Sequence, residues 1–353
     1  MKKVRVSTST EYDILIGKGL LSQVGKEVAK RISPCKAAII TDNQVDSLFS
    51  ASVASSLSEA GFPLCKFVFP RGEESKHIGT LSDILEFLAE NEMTRQDVII
   101  ALGGGVVGDM AGFAAAVYQR GIRFVQIPTT FLAAVDSSVG GKTAIDLKAG
   151  KNMAGAFYQP QLVLCDTNTL HTLPKEIFAD GVAETLKYGI IGDEALFSKV
   201  ESLAYIQELE EIIETCVTMK RDIVMRDEFD NGERQLLNLG HTLGHSIEKL
   251  SRFTISHGHA VAIGLVLIAN AAEAKGIGQA GMAERIRKAL VKNGLPVKTE
   301  YSPQEVAKGA FMDKKRRGET ISFVFPEKIG SCSIEKIPVH EVEQLVTEAM
   351  KSR

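Results

Sequence analysis

The sequence has little of what several function classes require. Its five cysteines, Cys35, Cys65, Cys165, Cys216 and Cys332, are odd in number, widely spaced and never in a CxxC pair. That argues against a disulfide framework and a thiolate zinc site, and for reduced thiols in a cytoplasmic protein. An excess of either charge sign is missing: the net charge is −3, and the one basic run is Lys314-Lys315-Arg316-Arg317. Nucleic acid is therefore not an expected partner. The start, MKKVRVSTST, carries two lysines with no apolar segment behind them, so no signal peptide is expected. Long hydrophobic runs are missing too. The most apolar one, Ala260 to Ala272 (AVAIGLVLIANAA), is too short to span a bilayer and reads as a helix buried on most sides, with no membrane partner.

What is present is the composition of a globular protein. The 353 residues are 44% hydrophobic and 24% charged, enough for one large domain or two ordinary ones. The first half alternates short β-branched runs with amphipathic helical stretches: Val4–Val6, Tyr12–Ile16, Ala37–Ile40, Leu64–Phe69, Val98–Leu102, Ile122–Ile127 and Leu162–Cys165 read as strands. Such alternation predicts βαβ units and a mostly parallel sheet. Residues 136–142 and 148–155 read as long loops rich in glycine and lysine. After Leu173-Pro174 the pattern is helical almost throughout, including 236–250 and 258–274, with a short hairpin near 321–334. The expected division is an α/β domain over 1–174 and a helical domain over 175–353.

Three features carry chemistry. Four of the seven histidines lie between Arg234 and His259. His241 and His245 are four apart and share a helix face, while Arg234 and Asn238 lie upstream on a similar face if the helix begins that early. Gathered imidazoles suit a borderline-soft divalent metal, zinc first, with a carboxylate from elsewhere as a further ligand, Glu184 being the first candidate. Second, Gly103, Gly105 and Gly108 fit GxGxxG between a strand and a helix, where backbone N–H groups can approach a pyrophosphate. The acidic residue usual about 20 positions on is missing, and the unit is at least the third of its kind, so a standard dinucleotide fold does not follow; Asp42, ending an earlier strand, is a candidate for a ribose hydroxyl. Third, Lys76, Lys142, Lys151, Lys187, Lys220, Arg234 and Lys314 recur in glycine-flanked or polar contexts, which suggests a small phosphorylated carboxylate as substrate.

These segments together resemble the 3-dehydroquinate synthase family of sugar-phosphate cyclases. The likeness is carried by PRGEESK at 70–76, GGGVVGD at 103–109, PTT at 128–130, DSSVGGKTAID at 136–146, GKNMAGAFYQP at 150–160, AETLKYG at 183–189, RQLLNLGHTLGH at 234–245, HGHAVAIG at 257–264 and DKKRRG at 313–318. The resemblance implies a Rossmann-like α/β domain that binds NAD, a helical domain that holds the metal, and an active site between them. It implies zinc or cobalt on Glu184, His241 and His257, which turns His245 toward the substrate. NAD would meet Asp42, the loop Arg71, Gly72, Glu73, Glu74, Ser75 and Lys76, the turn Gly105, Val106, Val107, Gly108 and Asp109, then Thr129, Thr130, Lys142, Lys151 and the segment Thr169, Leu170, His171 and Thr172. Substrate would meet Arg120, Asp136, Lys142, Asn152, Lys187, Lys220, Arg234, Asn238, His245 and Lys314.

The implied reaction turns 3-deoxy-D-arabino-heptulosonate 7-phosphate into 3-dehydroquinate and phosphate. It proceeds by transient oxidation with NAD, phosphate elimination, re-reduction, ring opening and aldol closure, in a cytoplasmic homodimer. Two positions depart from the family pattern: His259 stands where glutamate is usual, and Asp146 where asparagine is frequent. His259 is expected to support the metal ligands without joining them. The competing readings are a related cyclase of the 2-deoxy-scyllo-inosose synthase kind, a metal-dependent polyol dehydrogenase, and a non-catalytic NAD or sugar-phosphate sensor.

Overall fold

A computed structural model describes residues 1–310, 316–317 and 319–351, with Arg316 and Arg317 described by their backbone alone. Lys314, assigned above to substrate, lies outside the described residues. The chain forms two compact units: Met1–Leu173 with Lys220–Phe229, and Pro174–Met219 with Asp230–Arg353. The segment 220–229, in the second half of the sequence, thus packs with the first unit.

The first unit is built on nine strands: β1 (Lys2–Ser7), β2 (Glu11–Gly17), β3 (Ala37–Asp42), β4 (Leu64–Phe69), β5 (Val98–Gly103), β6 (Arg123–Pro128), β7 (Lys142–Leu147), β8 (Gly150–Phe157) and β9 (Leu162–Asp166). Seven of them form one sheet in the order β1-β2-β9-β6-β5-β3-β4. All its pairings are parallel except the opening β1–β2 hairpin. Both faces are covered, which is why the central strands read as unbroken apolar runs. In β5, Val98, Ile100 and Leu102 enter one core with Val24, Val28, Val53 and Leu57. Ile99 and Ala101 enter the other with Leu81, Ile84, Leu88, Met110 and Ala114. Each fully buried Ile or Leu contributes about 1.5–3 kcal/mol.

From β3 the chain steps outward to β4, then returns to place β5 on the other side of β3. The strand order reverses between β3 and β5, and the crevice outside their carboxyl ends is where open α/β sheets take ligands. Asp42 ends β3, and Gly103 ends β5.

The segments read as loops around 142–155 differ from expectation. Lys142–Leu147 and Gly150–Phe157 pair as an antiparallel hairpin. Its alternation rests on Thr143 and Ile145, the buried positions of β7, while β8 is mostly exposed. A half-solvated hairpin of this kind gives a weak period-two signal.

The second unit is helical, with an antiparallel hairpin of Thr320–Lys328 and Ser331–Pro338, longer than the sequence suggested. Its central element is the His257–Ala274 helix, packed against the Lys175–Gly192, His241–Leu250, Met282–Lys292 and Val342–Lys351 helices. Among the described residues it is the one helix long and apolar enough to cross a membrane, and 72% of it is buried inside the protein. Glycines set its crossings. A Cβ on Gly264 would collide with Gly240 O, and one on Gly244 would stand 3.0 Å from Ala260 O.

One helical expectation is corrected. Residues 233–238 form a separate 3-10 segment, and the α-helix starts at His241. Gly240 divides them at φ +76°, a left-handed conformation natural to glycine. Arg234 and Asn238 therefore do not share a helix with His241.

Candidate active site

In the first unit the candidate site is the β3/β5 crevice. β5 ends at Gly103, Gly104 is the N-cap, and the Gly105–Val117 helix follows. The first N–H groups of such a helix have no partner within it, and its dipole favours an anion there. Thr129 N donates to Gly103 O at 3.0 Å, which holds the end of β6 against the turn. The buried Thr129 Oγ1 has no hydrogen-bond partner among the described residues. An orphaned hydroxyl beside a free helix N-terminus fits a phosphate-bearing ligand. Thr130 crowds the turn from the other side: a Cβ on Gly104 would stand 2.9 Å from its Cγ2. Asp42 Oδ1 accepts from Gln44 N and Val45 N, both at 2.9 Å, so this carboxylate also caps the turn after β3.

The other proposed NAD residues fall into three groups. Arg71 to Lys76 form the loop after β4, with Glu73–Ser75 as a 3-10 turn. Lys76 is buried; its Nζ reaches Asp109 Oδ2 and Asn152 Oδ1, each at 2.6 Å. Burial pushes the Asp109 carboxyl up, with Lys76 opposing. For Lys76 burial works against the charge, but Asp109 and Glu73 outweigh it and raise the ammonium above its ordinary value. Lys151 pairs with Glu73 at 2.8 Å. Lys142 opens β7 on an exposed position. Beside them Asn152, a substrate candidate, sits at φ +52°, held by its N–H donating to Asp146 Oδ1 at 2.8 Å. That bond braces a left-handed residue, and the oxygen of the asparagine frequent in the family at 146 could accept it equally, so it does not explain the departure. Thr169 to Thr172 lie in a 3-10 segment after β9, and the Thr169 hydroxyl is spent on Asp166 O at 2.8 Å.

Two substrate candidates pair within this unit: Lys220 Nζ lies 2.9 Å from Asp136 Oδ1 and donates to Asp136 O at 2.7 Å. Arg120 is not brought to the crevice of its own unit. It ends the short turn after the Gly105–Val117 helix, whose 13 residues carry the chain roughly 20 Å back toward the amino ends of the strands. Gln119 and Arg120 there take left-handed φ of +53° and +64°.

In the second unit the histidines converge. Ligand atoms of His241, His245 and His257 lie within 4.8 Å of one another. Glu184, fully buried on the Lys175–Gly192 helix, faces two of them: its Oε1 is 3.4 Å from His241 Nε2 and 3.3 Å from His257 Nε2. Lys187, one turn on and also buried, places Nζ 2.5 Å from Glu184 Oε2. Burial pushes the Glu184 carboxyl up; Lys187 and the two histidines outweigh it and hold it well below the usual carboxylate range. Burial pulls His241 down to about 4 against the pull of Glu184. His257 also suffers burial, but Glu184 and Glu248 raise it to about 10.

The donor set fits a metal ion. His241 Nδ1 is 3.0 Å from Leu239 O, and a carbonyl only accepts, so Nδ1 carries the proton and Nε2 keeps its lone pair. A lone pair facing a carboxylate oxygen at 3.4 Å is repulsive unless a cation lies between them. Bonds of about 2.0–2.1 Å in a tetrahedron separate ligand atoms by roughly 3.3–3.4 Å, the spacing found here. Neither Glu184 oxygen makes a well-directed hydrogen bond among the described residues, although cationic groups stand at ion-pair distance. His245 belongs to the cluster by position, so the spacing reading and the resemblance-based set overlap in His241 and differ over His245.

Two residues absent from the sequence reading join the site. Glu248, buried, places Oε2 3.5 Å from His257 Nδ1, the place of a carboxylate that orients a metal-binding imidazole. Its signal was available, since residue 248 lies seven after His241 and three after His245, on one helix face. Asp180, four before Glu184, takes His259 Nδ1 at 2.9 Å. Arg234 is buried to 1% exposure and Asn238 ends the same 3-10 segment.

The fold is shared with solved sugar-phosphate cyclases and, at lower similarity, with butanol and glycerol dehydrogenases. A structure of 2-deoxy-scyllo-inosose synthase complexed with carbaglucose-6-phosphate, NAD+ and Co2+ matches with a TM-score of 0.88 at 24% identity, covering 98% of this chain and 100% of that one. The 2-epi-5-epi-valiolone synthase from Streptomyces hygroscopicus subsp. jinggangensis, with NAD+ and Zn2+ bound, gives 0.89 at 23% identity over 100% of both chains. The NADH-dependent butanol dehydrogenase A from Thermotoga maritima gives 0.68 at 14%, over 95% of this chain and 96% of that one.

Within that class the chain belongs to the 3-dehydroquinate synthase family. Family models described as 3-dehydroquinate synthase N-terminal and C-terminal match residues 66–180 and 181–316. The 3-dehydroquinate synthase of Streptococcus suis is 46% identical over 341 residues, 95% of this chain and 96% of the relative. That of Clostridium acetobutylicum is 42% identical over 336 residues, 94% of each.

Proposed function

We infer that the chain catalyses the reaction of its family, converting 3-deoxy-D-arabino-heptulosonate 7-phosphate into 3-dehydroquinate and phosphate, a step of the shikimate pathway toward chorismate and the aromatic amino acids. The observation that carries this reading is the meeting of Glu184, His241 and His257 at the separations of a tetrahedral metal, with Lys187 on the same carboxylate. Bound NAD supplies reversible oxidation of a ring carbinol, and bound zinc or cobalt supplies Lewis acidity at the hydroxyl being oxidised.

The protein's own groups do the rest. Glu184 and the neutral His241 offer lone pairs to the metal, and Glu248 aims the His257 ring. Lys187 and Arg234, both buried in the second unit, are cations with fixed positions. Such groups hold the phosphate and carboxylate of the substrate in one orientation and replace the water those anions lose. His245 is assigned to the substrate hydroxyl, where it takes and returns the proton. The departing phosphate leaves with the bonding pair, and its own oxygens accept the proton from the adjacent carbon, so no further side-chain base is required. The crevice at Gly103–Asp109, with Thr129, Thr130, Lys76 and Lys151, is assigned to NAD. A cytoplasmic homodimer without nucleic-acid or membrane partners is assigned from composition and family likeness.

The test is a mixture of purified protein, NAD, zinc or cobalt and the heptulosonate phosphate. Phosphate release without accumulating NADH is expected. Stoichiometric NADH would identify a polyol dehydrogenase, and binding with neither product would identify a sensor.

A further inference from the structure

Where the family pattern has glutamate, this chain has His259, and the structure gives that histidine one partner set. Asp180 Oδ1 accepts from the backbone N–H of His259 at 3.1 Å, lies 2.9 Å from His259 Nδ1, and accepts from Ser256 Oγ at 2.5 Å. Ser256 Oγ in turn lies 2.8 Å from His259 Nδ1. With the proton on Nδ1, all three groups donate to one carboxylate oxygen. Asp180 thereby takes a first-turn N–H of the His257–Ala274 helix, although it sits on another helix, Lys175–Gly192. Gly258, between His257 and His259, is packed so closely on the Asp180 backbone that a Cβ would collide with it.

Asp180 and Glu184 are four apart and share a face of their helix, separated by about 6 Å along its axis. His257 and His259 share the first turn of the other. The two helices therefore meet at two neighbouring points: Asp180 with His259, and one turn on Glu184 with His257, at 3.3 Å. The Glu184–His257 separation follows from the first contact, because the Asp180 carboxylate and the packing of Gly258 on the Asp180 backbone hold the start of one helix against the other one turn away from Glu184.

We propose that Asp180 and His259 are a positioning pair that sets the Glu184–His257 distance and so the metal affinity of the centre. This rests on the metal reading above. Neither residue is a ligand; the pair acts through the two that are.

The experiment is cobalt titration of the NAD-free protein against a competing chelator, with the visible d–d spectrum recorded and far-UV circular dichroism and thermal melting as fold controls. His259→Ala is expected to bind cobalt about tenfold more weakly, the lower end for loss of a supporting partner, with altered visible bands. His259→Asn, whose side-chain N–H can replace that of Nδ1, is expected to keep both affinity and spectrum. His259→Glu sets two carboxylates together and is expected to lose at least tenfold. Adding Asp180→Asn, which restores a donor, is expected to recover most of that loss, a non-additive result that general destabilisation does not produce. If His259→Ala and His259→Glu bind cobalt like wild type with the same bands, or if the double variant is no better than His259→Glu, the positioning role is wrong while the metal reading stands. Wild-type protein that takes up no cobalt would overturn both. Should His259→Ala fail to fold, the His259→Asn and double-variant results decide the matter.

Discussion

Metal binding should displace one proton, and the structure says from where. An imidazole ligates through a lone pair, so any proton His257 holds must leave. In the metal-free protein Glu184 and Glu248 raise His257 from 6.5 to about 10. His241, at about 4, has already lost its proton at neutral pH, and Glu184 is ionised well below it. The sign follows: below about 10 the metal competes with one proton, and apparent affinity rises about tenfold per pH unit. At pH 7 the full shift corresponds to a penalty of roughly a thousandfold, or about 4 kcal/mol. The His257 side chain keeps 33% of its surface exposed, so solvent screens part of this and the penalty is an upper bound. The slope is sturdier than the penalty, because it needs only a pKa above the working range. Titrations at pH 6.5, 7.5 and 8.5 should show about a hundredfold rise in affinity across roughly two units. Calorimetry in buffers of different ionisation enthalpy should give release of about one proton. Glu248→Gln removes one of the two carboxylates and should flatten the slope near pH 8. A wild-type affinity independent of pH, with no proton released, would refute the assignment of His257 as a ligand that Glu184 and Glu248 keep protonated until the metal binds.

Other perturbations read other parts of the structure. Thr129→Val deletes a buried hydroxyl without a partner, so the melting temperature should hold or rise, since such a group costs about 1–3 kcal/mol; NAD affinity should fall up to about tenfold, which fluorescence titration would measure. Lys151→Gln should weaken NAD binding while stability in urea changes by less than about 1 kcal/mol, because its pair with Glu73 is partly exposed; unchanged NAD affinity would contradict its assignment. Gly264→Ala places a methyl against Gly240 O, and should cost about 1–3 kcal/mol or more in denaturant unfolding and weaken cobalt binding by parting the two histidine-bearing helices. The same substitution at Gly276, with φ +69° and open space around it, should cost stability but leave cobalt affinity alone.

The parallel sheet was legible because each central strand buries both faces, and Val98–Leu102 or Leu162–Cys165 then reads as an unbroken apolar run between turn residues. The hairpin Lys142–Phe157 was read as loops because only Thr143 and Ile145 report its inner face of β7. The break at Gly240 was also hidden. Nothing local to LNLGHT forbids a continuous helix; the close approach of Gly264 to Gly240 O, 24 residues on in the chain, fixes the backbone there.

The site shows the same division between local and long-range determinants. His241 and His245 announce themselves by spacing, and spacing alone makes them a ligand pair. Glu184 lies 57 residues upstream, where AETLKYG looks like an ordinary helix surface; the need for a further hard ligand made it a candidate, and family likeness, not periodicity, assigned it to the metal. Glu248 went unread because a glutamate in SIEKL resembles solvated charge, and only its burial against His257 Nδ1 says otherwise. His259 stood out as a departure expected to support the metal ligands, and its partner is Asp180, a residue that no pattern within HGHAVAIG could name. A residue that looks out of place in one segment is thus accounted for by a carboxylate on the helix that also bears Glu184, so a swap at 259 is best read together with the residue at 180.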